Sequence, residues 1–237
     1  MPSGEMMLVS GMLIDSVLVI NILKNTSFSV SQATTLFGLE SGTVGSIINM
    51  PVILSLALAT AILPCVSSKN AKGDKEGAKK SASKALLLAT IVALPASFGC
   101  YALSFPIMKI LYGGSLSLEN IEIASQILEV ASISIFYLAM VQVSAGILQG
   151  ISKAGVPALS LSVGLAIKIV LNLVLIRIPQ INILGVEIAN AVCYLVAFLI
   201  NLSVIRRSEL VDVSPRVFGV FLASCLVFVA KPIFEIL

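Results

Sequence analysis

The sequence contains no histidine. That absence excludes Ser-His and Cys-His nucleophile pairs and every histidine-based metal motif, and with them most hydrolase chemistry. Charge is scarce too: 11% of the 237 residues are Asp, Glu, Lys or Arg, 58% are hydrophobic, and the mean hydropathy is +1.07. A water-soluble globule of this size needs far more polar surface, so lipid is the solvent that fits. The four cysteines, Cys65, Cys100, Cys193 and Cys225, lie far apart in or beside apolar runs and form no C-x-x-C pair. They read as inert buried thiols, not a disulfide frame or a metal site. No Walker A string occurs, which argues against ATP hydrolysis. A net charge of +3 without a basic stripe interleaved with aromatics argues against nucleic acid as a partner. The acidic residues are scattered, whereas a polyprenyl-phosphate transferase would need them clustered at one membrane face. The chain therefore reads as a non-enzyme with no cofactor and no metal.

What the sequence does have is a series of apolar stretches of about 20 residues, the length that crosses a hydrocarbon core of ~30 Å. They run from Met6 to Leu23, Val44 to Val66, Ala85 to Met108, Val130 to Gly150, Ala158 to Ile176, Ile183 to Ile205 and Val217 to Phe234. The first has no basic residue before it and contains Asp15, so it reads as a retained helix and not a signal peptide. Barrel strands would show short alternating segments instead, and backbone in lipid must satisfy its own hydrogen bonds. The expected fold is all-α, a polytopic membrane bundle of about seven transmembrane helices. Pro51, Pro64, Pro95 and Pro106 fall inside or at the ends of spans, where each removes a backbone donor and bends the helix. The pairs Gly38/Gly42 and Gly146/Gly150 have the spacing that lets helix backbones approach closely. The connection from Asn25 to Ser41 is expected to carry a short surface helix through Ala33 to Leu39, and its Asn25-Thr26-Ser27 sequon reads as a chance match.

Basic residues set the orientation. Lys69, Lys72, Lys75, Lys79, Lys80 and Lys84 crowd one connection, which the positive-inside rule places in the cytoplasm. Lys153, Arg206, Arg207 and Arg216 then fall on the same side, against Lys24, Lys109, Arg177 and Lys231 outside. The expectation is a multi-pass protein of the bacterial cell membrane with a cytoplasmic N-terminus and an extracytoplasmic C-terminus. The basic loop reads first as a topology signal, and second as a contact for anionic headgroups or a pyrophosphate-linked substrate.

Several strings, taken in order, resemble the second half of the flippases of the polysaccharide-exporter and stage V sporulation protein B family, relatives of the lipid II flippase MurJ and of the multidrug exporters called MATE. They are Leu13-Ile14-Asp15, Asn49-Met50-Pro51, Leu58 to Pro64, Gly146-Ile147-Leu148-Gln149-Gly150 with Lys153 and Pro157, and Leu184-Gly185-Val186 with Ile188-Ala189-Asn190. The resemblance implies two lobes of six helices around a central cavity, of which this chain looks like the C-terminal lobe plus one extra helix. On that basis residues 1–205 form a six-helix transmembrane lobe, and 206–237 add a cytoplasmic loop and a further transmembrane helix. The implied function is a flippase or exporter of lipid-linked oligosaccharide or peptidoglycan precursor working by alternating access, present as a half or fragment. The alternatives are a cation-coupled multidrug exporter on the same fold and a nonfunctional fragment. The implied partners are the amphipathic substrate, membrane lipids, and a missing N-terminal lobe or a second copy.

Charges inside a bilayer cost ~3 kcal/mol at a helix centre on insertion scales and mark pairs or transport paths. Asp15 and Lys168 are the deep candidates, at similar depth on spans that cross in the same direction. In MurJ-like relatives an acidic residue on the seventh helix and polar residues on the eleventh and twelfth bind a sodium ion. The resemblance sets Asp15, Asn172 and Asn190 on those helices, and Lys168 shares a helix face with Asn172. The ammonium of Lys168 is then expected to stand where relatives hold sodium, paired with Asp15, either fixing register or coupling to lobe motion. Gln142 and Gln149, seven residues apart on one face, serve either a substrate or a neighbouring helix. Glu187, where relatives more often carry a small residue, and Arg177 are expected near the outer surface, reaching water by snorkelling.

Overall fold

The computed structural model describes Val19 and residues 30–178 and 181–208. Asp15, the stretches from Met6 to Leu23 and from Val217 to Phe234, the Asn25 sequon, Cys225, Lys24, Arg216 and Lys231 lie outside the described residues, apart from Val19, which is fully buried.

The stretch from Val44 to Val66 is the middle of a much longer helical run. Helix α1 (Val30–Gly38) passes through a π-helical turn (Leu39–Val44) into α2 (Gly45–Ala71). The expected surface helix therefore exists, but it continues into the span. Gly73, with φ +72°, turns the chain between α2 and α3 (Lys75–Ala102), and Asp74 caps α3 by accepting a 2.8 Å hydrogen bond from the Gly77 N–H. The third apolar stretch does not run straight to Met108. Pro106 has no N–H to offer the Ala102 carbonyl, so the ladder of α3 stops at Leu103 (φ −113°, ψ 22°) and α4 (Ser104–Tyr112) sets off anew.

Helix α5 (Leu118–Gly150) starts at Ser117, whose hydroxyl accepts from the Asn120 N–H at 3.3 Å. It ends with the Lys153 N–H bonded to the Leu148 carbonyl at 2.9 Å while Ser152 takes a left-handed conformation, φ 64°. Helices α6 (Gly155–Leu175) and α7 (Leu184–Arg207) complete the described bundle. Among the described residues five helical runs are long and apolar enough to cross a membrane: Val30–Ala71, Lys75–Ala102, Leu118–Gly150, Gly155–Leu175 and Leu184–Arg207.

Helix α5 is the hub, packed by α2, α3, α4 and α7, while α6 lies mainly on α7. A Cβ on Gly146 would stand 2.5 Å from the Ala59 carbonyl oxygen, and one on Gly150 would stand 3.0 Å from Val66 Cβ, so α2 and α5 run parallel at close approach along that pair. Gly38 and Gly42 do not act this way: a Cβ at either would meet nothing within 4 Å, because that stretch presents them to no neighbouring helix. The core forms two layers that change over on α5 between Ile135 and Phe136, one with Leu36, Ile48, Met108 and Ile127, the other with Ile62, Ala89, Ile147 and Leu202. The second layer lies toward the end where the lysines of the α2–α3 turn, Lys153, Arg206 and Arg207 gather. A 2.8 Å bond from Lys153 Nζ to Ser208 Oγ joins two of those connections.

Candidate functional site

Helices α6 and α7 are antiparallel, and two glycines fix their register. A Cβ on Gly164 would stand 2.7 Å from the Cys193 carbonyl oxygen, and one on Gly185 would stand 2.8 Å from Leu175 Cβ. Starting at Ser160 and stepping by four, the face of α6 in this seam reads Ser160, Gly164, Lys168, Asn172, and all four are buried. Polar side chains therefore line an inward stripe of a helix whose opposite face, with Leu159, Val163, Val170 and Val174, is apolar and exposed.

At the lysine-rich end of the seam a closed polar cluster ties three helices. Asn201 on α7 donates from Nδ2 to Ser144 Oγ of α5 at 3.1 Å, and its Oδ1 accepts from Ser160 Oγ of α6 at 2.8 Å. All three residues are fully buried. Both hydroxyls also lie 2.9 Å from backbone carbonyls of their own helices, Val141 and Pro157.

Further along the same seam lie the charged residues. Counting from Ser160 on α6, Lys168 sits about 12 Å and Asn172 about 18 Å along the helix axis, at ~1.5 Å per residue. Counting back from Asn201 on α7, Asn190 sits about 16 Å and Glu187 about 21 Å along. The register thus brings Lys168, Asn172, Asn190 and Glu187 into one section of the interface. Asn190 Nδ2 donates to Glu187 Oε2 at 3.3 Å. Lys168 is 7% exposed, Asn172 1% and Glu187 2%. The expectation that Glu187 reaches water is therefore wrong: it lies in the first turn of α7, but that turn packs against the end of α6 at Gly185, and the carboxylate is enclosed. Arg177, just past α6, is exposed as expected.

The glutamines on α5 do not join this section. Gln142 lies two residues from Ser144, hence near the Asn201 level, half-buried, with its Oε1 accepting no hydrogen bond; Gln149 is exposed near the lysine-rich end. Sequence reasoning missed the Ser144, Ser160 and Asn201 cluster altogether. The one available signal was that Ser160 continues the four-residue spacing of Lys168 and Asn172.

The sodium ion implied by the family resemblance can be tested against these residues. Glu187, Asn172 and Asn190 offer oxygen atoms, but the Lys168 ammonium is buried one turn from Asn172, and no group of three or more His, Cys, Asp or Glu side chains gathers among the described residues. A cation bound beside a buried ammonium pays like-charge repulsion in a medium that screens it weakly, so the described set does not fit a sodium ion.

The family model for the lipid II flippase MurJ matches residues 7–236, nearly the whole chain. The chain belongs to the MurJ flippase family. The lipid II flippase MurJ of Bacillus subtilis is 29% identical over 164 residues, which cover 69% of this chain and 29% of that protein. A probable lipid II flippase MurJ of Bdellovibrio bacteriovorus is 24% identical over 156 residues, covering 65% of this chain and 29% of the relative. A crystal structure of a MATE transporter in complex with MaL6 superposes with a TM-score of 0.71 at 21% identity, over 91% of this chain and 45% of that one. The fold is thus MATE-like, and the chain spans less than a third of the length of those curated relatives and under half of that transporter. It is a multi-pass membrane protein, and the family is one of transporters.

Proposed function

We propose that this chain is one lobe of an alternating-access flippase for lipid-linked oligosaccharide or peptidoglycan precursors. The observation that carries the proposal is the family match over residues 7–236, coming together with a charged, buried seam in a bundle otherwise built of apolar and small side chains. Burying Lys168 and Glu187 costs several kcal/mol, a cost that membrane proteins accept mainly along transport paths or in fixed pairs. The working residues on this reading are Lys168, Asn172, Asn190 and Glu187, with Asp15 completing the set from the first span. The Lys168 ammonium takes the role that sodium holds in relatives, so transport runs without sodium. Gln142 and Gln149 stand as candidate substrate contacts toward the lysine-rich end, which faces the cytoplasm. A second lobe, in the same polypeptide, in a separate chain or in another copy, completes the cavity. The reading is of a transporter because the family model that matches residues 7–236 is that of a flippase. The multidrug-exporter alternative draws on fold alone.

The test is transport in vesicles. The chain is reconstituted alone and with a six-helix partner lobe, and movement of a fluorescent polyprenyl-pyrophosphate sugar across the bilayer is followed with and without sodium. Expected is sodium-independent movement in at least one arm, lost in Lys168→Met and in Glu187→Gln. No movement in either arm refutes the flippase reading, and strict sodium dependence refutes the role given to Lys168.

A further inference from the structure

Helix α3 has two faces of opposite character. One carries Ala78, Ala82, Ala85, Ala89 and Ala93, all buried in the bundle, the small side chains that let membrane helices approach closely. The other is bulky and exposed: Leu88 is 50% and Ile91 58% exposed, and Phe98 continues the line. Followed toward the lysine-rich end in four-residue steps, this outer stripe becomes Lys84 and then Lys80, both exposed. Neither lysine forms a hydrogen bond or ion pair with a described residue.

The dimensions match a bilayer. From Lys80 to Ala102 the helix rises about 33 Å, against a hydrocarbon thickness of ~30 Å. Helical side chains lean toward the N-terminus, which in α3 is the lysine-rich end, so both ammonium groups extend out of the hydrocarbon to headgroup depth. Residues four apart on a helix stand about 6 Å apart, within reach of a single phosphate. A second protein helix seated on this stripe would favour small residues like those of the inner face, whereas Lys, Leu, Ile and Phe side chains suit fluid acyl chains.

We propose that the outer stripe of α3 is a binding surface for anionic phospholipid, with the headgroup phosphate held between Lys80 and Lys84 and an acyl chain lying along Leu88, Ile91 and Phe98. The chain contains no tryptophan, so Leu88→Trp installs a single emitter on the stripe. In vesicles of the full chain, brominated phosphatidylglycerol should quench that emission in preference to brominated phosphatidylcholine. The expected selectivity is about fivefold per lysine, roughly twenty-fivefold for the pair, at low salt. It should fall to near unity in Lys80→Gln/Lys84→Gln, which leaves Lys69, Lys72, Lys75 and Lys79 in the basic connection. Ile91→Trp, one turn deeper, serves as a second emitter if Leu88→Trp folds poorly. Equal quenching by the two lipids overturns the proposal and leaves the lysines as a topology signal. Quenching by neither overturns it in favour of a protein surface covering the stripe.

Discussion

Gly146→Ala is the sharpest test of the packing. The new Cβ would lie 2.5 Å from the Ala59 carbonyl oxygen and 3.1 Å and 3.2 Å from Ala59 carbonyl carbon and Cα. All three are backbone atoms, so no side chain can swing aside, and α2 must withdraw from α5 by close to 1 Å to reach an ordinary contact of ~3.5 Å. Overpacking of this kind costs ~1–3 kcal/mol, and the better helix propensity of alanine returns at most about 1 kcal/mol. A net loss of ~1–2 kcal/mol is expected. Gly99→Ala, inside α3 with nothing within 4 Å of its Cβ, is the matched control and should be neutral to stabilising by up to about 1 kcal/mol. The readout is thermal unfolding in detergent followed by a thiol-reactive fluorophore, with buried Cys193 as the reporter after Cys65, Cys100 and Cys225 are replaced by serine. The two variants should differ by about 1–3 kcal/mol, a few degrees or more in midpoint for a chain of this size. Gly146→Ala matching Gly99→Ala would falsify the close α2–α5 approach.

Two further predictions concern single residues. Asn201→Ala removes both interhelical bonds of the buried cluster but leaves Ser144 and Ser160 their backbone acceptors, so it should cost about 1–2 kcal/mol in the same thermal assay; Asn201→Asp, which buries an unpaired charge, should lower the folded yield much further. Ser152→Gly relieves a non-glycine residue at φ 64° and should stabilise by about 0.5–1 kcal/mol, and an unchanged or lowered midpoint would count against the left-handed geometry there.

The five described spans were legible because lipid imposes an unbroken apolar length that composition alone reveals. Their ends were less so. Apolar residues continue through Phe105 to Met108, and only the missing N–H of Pro106 stops α3 at Ala102. The Lys168 and Asn172 stripe could be read from its spacing of four. Glu187 was misplaced because closeness to the end of a span was taken as exposure, whereas its burial depends on how tightly the turn at Gly185 packs on α6. The cluster of Ser144, Ser160 and Asn201 joins residues 41 and 57 positions apart along the chain. Serines abound in this sequence, and nothing short of the helix register says which of them meet.

The run from Val30 to Ala71 has a mechanical consequence. Its 42 residues make a rod about 63 Å long at ~1.5 Å per residue, twice the hydrocarbon depth. A rod of that length magnifies tilt: pivoting by about 15° around its Ala71 end, a swing of the size known for rigid-body rearrangements, carries the Val30 tip some 16 Å sideways. Any tilt of the buried part of this run is thus felt most strongly at its Val30 end, beyond the turn at Leu39–Val44.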